Sequence, residues 1–150
     1  MTTLKTGDKA PQFSGLDHNG KPHQLNDYKG KKLVVFFYPK ANTPGCTAEA
    51  CDLRDNFKTF ESQNYALLGV SADSALAQSK FVEKYNFPFP LIADEDKSVI
   101  KAFGVWGPKK FMGKEYDGIH RTTFIIDENG IIEDVIVNVK TKEHASQILK

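Results

Sequence analysis

Cysteine is scarce in this chain: its 150 residues carry only two, Cys46 and Cys51, which excludes a disulfide-stapled secreted scaffold. No apolar run approaches the roughly 18 residues of a membrane span, and the opening Met1-Thr2-Thr3-Leu4-Lys5 lacks the hydrophobic segment of a signal peptide. A cytoplasmic location is therefore expected. Charge of one sign is missing too. A formal net charge of +1 gives no basic field for nucleic acid or an anionic membrane, and neither partner is expected. Repeats, low-complexity tracts and interdomain linkers are absent. The length suits one domain over residues 1–150, and 40% hydrophobic with 26% charged residues is the balance of an ordinary soluble globular protein. In the cytosol, two cysteines are more often catalytic or redox-sensing than a permanent staple.

Both cysteines lie in one stretch, Pro39 to Cys51, which closes the apolar run Leu33-Val34-Val35-Phe36-Phe37-Tyr38. The run is rich in β-branched and aromatic residues and reads as a strand buried on both faces, ended by Pro39. Thr43 and Thr47 both qualify as caps of the helix that follows, and Pro44 is tolerated in a first turn. At about 100° per residue, Ala50, Leu53, Phe57 and Phe60 fall within roughly 40° of one direction, with Cys46 at the centre of that stripe. Cys46 thus points toward the core at a helix N-terminus. Cys51 lies about 140° away, and in an intact helix the two Cα atoms are about 8.7 Å apart. That exceeds the roughly 7 Å limit for a disulfide, so the pair can bridge only if the first turns unwind.

Taken in order, the chain opens with an N-terminal hairpin joining Phe13–Leu16 to His23–Leu25 through Asp17-His18-Asn19-Gly20. Asn26 to Gly30 reads as a short turn into the buried strand. The cysteine helix is expected to run on to residues 62–64. Ala66 to Ser71 is a second buried strand, and Ser74 caps a helix whose Ala77, Phe81, Val82 and Tyr85 share one face until Asn86-Phe87-Pro88 stops it. Leu91–Ala93 reads as a short strand, Lys97–Phe103 as a short helix and Gly104–Gly118 as a loop. Arg121–Ile126 and Ile131–Val137 flank Asn129-Gly130, a strong hairpin signal, and a last helix bears Ala145, Ile148 and Leu149. This order predicts an α/β fold of thioredoxin type: a mixed central sheet, helices on both faces and an N-terminal β-hairpin extension.

A free cysteine on an apolar stripe is also read as a small buried hydrophobe. The flanks of Cys46 point further. A helix N-terminus offers unpaired N–H groups and positive potential that favour a thiolate, Thr43 brings a hydroxyl, and Gly45 lets backbone approach closely. Two cysteines with His18, His23, His120 and His144 scattered along the chain match no common zinc spacing, so no metal is expected. A Cys-His hydrolase would need an imidazole at the sulfur, yet His120 and Arg121 are strand neighbours whose side chains face opposite ways. A thioredoxin-type reductase would need C-x-x-C.

Pro39, Thr43 and Cys46 match the P-x-x-x-T-x-x-C signature of peroxiredoxins, and Thr43-Pro44-Gly45-Cys46-Thr47 with Glu49, Ala50 and Cys51 resembles the Q-type subfamily, the bacterioferritin co-migratory proteins. The likeness extends to Gly7-Asp8-Lys9-Ala10-Pro11, to Phe103-Gly104-Val105-Trp106 and to Gly118–Asp127. It implies a peroxidase in which Cys46 attacks a hydroperoxide and becomes a sulfenic acid. Thr43 would hold the peroxide, Arg121 would stabilise the thiolate and the departing oxygen, and Glu49 would orient Arg121. On residues alone Arg121 reads as a strand-start surface charge, and Glu49 as a first-turn carboxylate favoured by the helix dipole. The resemblance further implies that Cys51 resolves the sulfenic acid to an intramolecular disulfide, that thioredoxin or a similar dithiol protein reduces it, that no cofactor is required, and that the protein is a monomer. A second reading of the same pair is a thiol redox sensor or binding module that switches a partner surface instead of turning over substrate.

Overall fold

The computed structural model describes residues 2–149. Strand β3 (Lys32–Phe37) is central and buried on both faces, as its unbroken apolar sequence requires. It pairs in parallel with β4 (Tyr65–Ser71), which pairs in parallel with β5 (Leu91–Ala93). On its other side it pairs antiparallel with β8 (Thr122–Ile126), and β9 (Ile132–Ile136) completes the five-stranded order β5-β4-β3-β8-β9. This mixed sheet, with helices on both faces, is the expected thioredoxin-like architecture.

The pleat of β3 divides the core. Leu33, Val35 and Phe37 pack with Phe13, Phe103 and Phe124 beneath the N-terminal segment and α4 (Ser98–Ala102). Val34, Phe36 and Tyr38 pack on the opposite face with residues of α1 (Pro44–Asp55), α2 (Phe57–Ser62), α3 (Ala75–Tyr85) and α5 (His144–Ile148). The N-terminal hairpin is present as β1 (Ser14–Leu16) and β2 (Pro22–Gln24); Leu25 falls outside it and opens a 3-10 turn to Tyr28. Ser74 caps α3 by accepting the Ala77 N–H at 3.1 Å.

Two expectations need correction. The cysteine helix does not run unbroken to residues 62–64: it ends at Asp55, and α2 begins after Asn56, whose φ and ψ are −107° and 12°. The Asn56 side chain causes the break. Its Nδ2 donates to the Asp52 carbonyl at 2.9 Å, and its own N–H turns to Leu53 at 3.2 Å, so the ladder shortens by one residue. The second correction concerns Gly104–Gly118. Most of it forms a separate hairpin, β6 (Trp106–Phe111) and β7 (Lys114–Ile119), closed by Met112 and Gly113 at φ 52° and 80°. Both its faces are largely exposed, so it carries no apolar alternation to betray it.

Candidate active site

Helix α1 starts where β3 gives out. Pro39 ends the strand, Asn42 takes φ 63°, and Thr43 occupies the N-cap position. A buried polar chain anchors the intervening loop: Tyr38 donates its hydroxyl to Gln78 Oε1 at 2.6 Å, Gln78 donates to Ser71 Oγ at 2.9 Å, Ser71 donates to Asp73 Oδ2 at 2.6 Å, and that oxygen also accepts the Ala41 N–H at 2.8 Å. Cys46, on the first turn of α1, is 2% exposed and sits among Tyr38, Ala50 and Leu53, on the stripe face that the helical wheel assigns to it.

Arg121 reaches the same place from the opposite end of the chain. Because β8 pairs antiparallel with β3 and Thr122 faces Phe37, the residue before β8 emerges at the C-terminal end of β3, where the chain leads into α1. The Arg121 guanidinium uses two nitrogens. Nη1 donates to Glu49 Oε1 at 2.6 Å, and Nη2 lies at hydrogen-bonding distance, 3.3 Å, from Cys46 Sγ. Burial works against its charge, but its attraction to Glu49 and Cys46 outweighs burial and holds it above its usual range. Glu49 is fully buried. Removal from water pushes its carboxyl up to about 7, against the opposing pull of Arg121.

Gly45 has a specific purpose. A Cβ placed there would stand 3.2 Å from Arg121 Nη2, so the close approach this glycine permits is that of the guanidinium. The Thr43 hydroxyl gives no capping bond and instead donates to the Lys40 carbonyl at 2.7 Å. With its hydrogen committed, its oxygen remains an acceptor three residues ahead of Cys46. Cys51 is a half-buried free thiol on the same intact helix, and burial chiefly raises its pKa. His120 faces away, its Nε2 3.0 Å from the Pro108 carbonyl, so no imidazole is supplied to the sulfur from that side.

The structure thus brings Cys46, Glu49, Gly45 and Arg121 together, keeps Cys51 at helical distance, and leaves Thr43 at the N-cap of the same helix. Sequence reasoning missed Gln78, Asp73, Lys109 and His144. Gln78 carried a signal, because it interrupts the apolar stripe of Phe81, Val82 and Tyr85 at helical spacing and is fully buried. Lys109, donating to the Ile119 carbonyl at 2.9 Å, is close enough for Arg121 to depress its pKa alongside burial, the larger cause. A cavity of about 270 Å³, lined by Lys9, Leu25, Tyr28, Leu33, Ile126 and Ile131, lies at the opposite end of β3 and shares no residue with this cluster.

Chemically, the arrangement is a buried sulfur held against a fixed cation on the first turn of a helix whose N-cap residue, Thr43, retains an acceptor oxygen. It favours a thiolate nucleophile and offers donors to negative charge developing on a small polar molecule. Comparison with known proteins agrees in kind. Residues 6–135 match the AhpC/TSA family. The chain is 48% identical to peroxiredoxin Bcp of Escherichia coli K12 over 99% of its own length and 96% of the relative's, and 45% identical to peroxiredoxin Bcp of Bacillus subtilis, covering 99% and 94%. Among solved structures, a cysteine-to-serine mutant of PrxQ from Xylella fastidiosa superposes with a TM-score of 0.92 at 33% identity, over 99% of this chain and 95% of that one. The bacterioferritin comigratory protein of Xanthomonas campestris, solved as trapped intermediate and ligand complexes of alkyl peroxide reduction, gives 0.86 at 34% identity, covering 91% and 87%.

Proposed function

The chain belongs to the AhpC/TSA family as a peroxiredoxin of the Bcp or Q type, and from that premise we propose that it reduces hydrogen peroxide and organic hydroperoxides through Cys46. One observation carries the assignment of roles: the Arg121 guanidinium is shared between Cys46 Sγ and a fully buried Glu49.

In the first step the Cys46 thiolate attacks the terminal oxygen of R–O–O–H. The S–O bond forms as the O–O bond breaks, the electron pair leaves on RO⁻, and RO⁻ takes up a proton as the alcohol or water; the sulfur becomes a sulfenic acid. Arg121 stabilises the thiolate before attack and the departing oxygen during it. The Thr43 oxygen accepts the hydroperoxide O–H and turns the terminal oxygen toward the sulfur. Cys51, freed as α1 opens, loses its proton and attacks the sulfenic sulfur as a thiolate; the S–S bond forms as the S–O bond breaks, and the departing hydroxide takes up that proton as water. Thioredoxin or a similar dithiol protein restores both thiols. The bridge is impossible on the intact helix, so α1 opens between the two steps.

The deciding experiment follows peroxide consumption by the purified protein with thioredoxin and its reductase. Many turnovers per protein are expected, with loss of two free thiols and a single intramolecular disulfide after one equivalent of peroxide. Consumption of one equivalent without cycling would favour a redox sensor and overturn the reading.

A further inference from the structure

The face of Glu49 turned away from Arg121 meets a second enclosed polar group. Among the described residues Glu49 Oε2 has no hydrogen-bond partner; it lies 3.5 Å from His144 Nε2, and both residues are fully buried. Gln147 fixes the protonation of the imidazole on its other side. Its Nε2 donates to the Asn138 carbonyl at 2.9 Å, so its Oε1 is the atom that accepts the Lys140 N–H at 2.9 Å and faces His144 Nδ1 at 2.7 Å. Nδ1 therefore carries a hydrogen. Nε2 is 2.7 Å from Thr123 Oγ1, a hydroxyl that can either donate or accept.

If His144 were neutral, Thr123 could donate to its Nε2, but an ionised Glu49 would leave the anionic Oε2 3.5 Å from that nitrogen with no donor of its own among the described residues, in a space closed to water. One proton removes the conflict, as Oε2–H directed at Nε2 or as Nε2–H directed at Oε2. Burial favours the first form, since it raises the Glu49 pKa to about 7 and lowers that of His144. The other charges facing the pair are Asp52 on α1, which favours a protonated imidazole and accepts the Ala145 N–H at 2.7 Å, and Arg121 ahead of β8, which opposes it; Cys46 lies beyond Arg121.

We propose that His144 is a positioning residue of the peroxidase, sharing one exchangeable proton with Glu49 and so setting how much of the Arg121 charge is available to Cys46. The inference rests on the reading of Cys46 as the peroxidatic residue. With the proton in place the Glu49–His144 pair is neutral overall, and Arg121 serves the sulfur and the departing oxygen. Loss of the proton as pH rises through neutrality leaves one net negative charge beside Arg121, which weakens that support.

The test is the single-turnover rate of hydrogen peroxide with the reduced protein from pH 5 to 9, divided at each pH by the thiolate fraction measured by alkylation. For the parental protein this quotient should fall by about tenfold across neutrality. In His144→Gln, whose amide can donate to Oε2, the inflection should move at least about one pH unit lower. A purely structural residue would instead scale the rate equally at every pH, and that result overturns the proposal. Imidazole 15N spectra of the unmodified reduced protein decide the matter if the variant does not fold. Nε2 and the Glu49 carboxyl should titrate together near neutrality with Nδ1 protonated throughout, and a ring and carboxyl unchanged from pH 5 to 9 would refute shared protonation. Failure of Cys46 to react with peroxide at all would instead remove the peroxidase reading, an outcome these spectra keep separate.

Discussion

Arg121 and Cys46 are 75 positions apart in the chain, yet Arg121 Nη2 lies 3.3 Å from Cys46 Sγ. The contact is built from both sides. The pairing of β8 with β3 delivers the arginine to the C-terminal end of β3, Gly45 leaves room for it, and Glu49 holds its second nitrogen. A cation fixed in this way does not reorganise when charge develops on the substrate, which is the condition under which one donor is most effective.

Arg121→Lys keeps the charge and loses the fork, because an ammonium cannot present two parallel N–H groups in the guanidinium plane. The rate of peroxide attack should fall by about 10²-fold, and Arg121→Ala should fall further. Stopped-flow fluorescence on the reduced variants measures this. A lysine variant that reacts at the parental rate would reduce Arg121 to a point charge.

Gly45→Ala tests the same contact from the helix side. The added methyl would meet Arg121 Nη2 at 3.2 Å, so the guanidinium must retreat by a few tenths of an ångström. We expect a loss of about tenfold in the peroxide step with little change in melting temperature, since alanine is the better helix former. An unchanged rate would show that the Arg121 position tolerates that displacement.

Much of this was legible in the sequence, and the parts that were not share a cause. The strand Leu33–Tyr38 and the stripe Cys46, Ala50, Leu53 are local patterns whose period alone gives their faces. The partnership of Arg121 with Cys46 was readable only through family resemblance, because sheet register, not spacing, creates it. His144 stayed hidden for the same reason, and for Gln78 the stripe it interrupts marks the position but only its partners across the interface explain it. The β6–β7 hairpin escaped because an exposed ribbon needs no alternation, and its turn uses Met112, a residue that gives no warning of positive φ.

Glu49→Gln should change how stability depends on pH. Burial raises the folded carboxyl to about 7 from its ordinary 4.5, so the folded state holds its proton more tightly than the unfolded chain. The stabilisation is complete below about 4.5 and lost as pH rises through about 7, with a size on the order of 3 kcal/mol. In urea titrations the parental protein should therefore lose stability relative to Glu49→Gln between pH 4.5 and 8. On the shared-proton reading, the difference between the two curves reports the titration of the Glu49–His144 pair. Parallel stability curves would contradict the raised carboxyl.

Thr43→Val should slow peroxide attack by about tenfold while Thr43→Ser retains it, because what the substrate needs is the acceptor oxygen left free once the hydroxyl donates to Lys40. A valine variant with the serine variant's rate would remove Thr43 from substrate binding.

Oxidation should loosen two helices. In the reduced protein both thiols are free on an unbroken α1, about 8.7 Å apart at their Cα atoms, and a disulfide needs about 4.4 to 6.8 Å. The turns between Cys46 and Cys51 must therefore open, while Leu53 and Phe60 keep the following segment docked. Those turns and the residue that follows them also hold α5: Glu49, between the cysteines, lies against His144, and Asp52 Oδ2, just after Cys51, accepts the Ala145 N–H at 2.7 Å. Opening of α1 should release that hold. Amide exchange in the disulfide form should accelerate at residues 44–54 and again at 144–149, with β3, β4 and β8 unchanged. The melting temperature should fall as well, because the short loop closed by the cross-link restricts the unfolded chain little while native helix is given up. Faster exchange in α1 with α5 still protected would mean that unwinding stops before Asp52. Equal protection of α1 in both forms, with the Cys46–Cys51 bond confirmed by mass, would sink the geometric argument altogether.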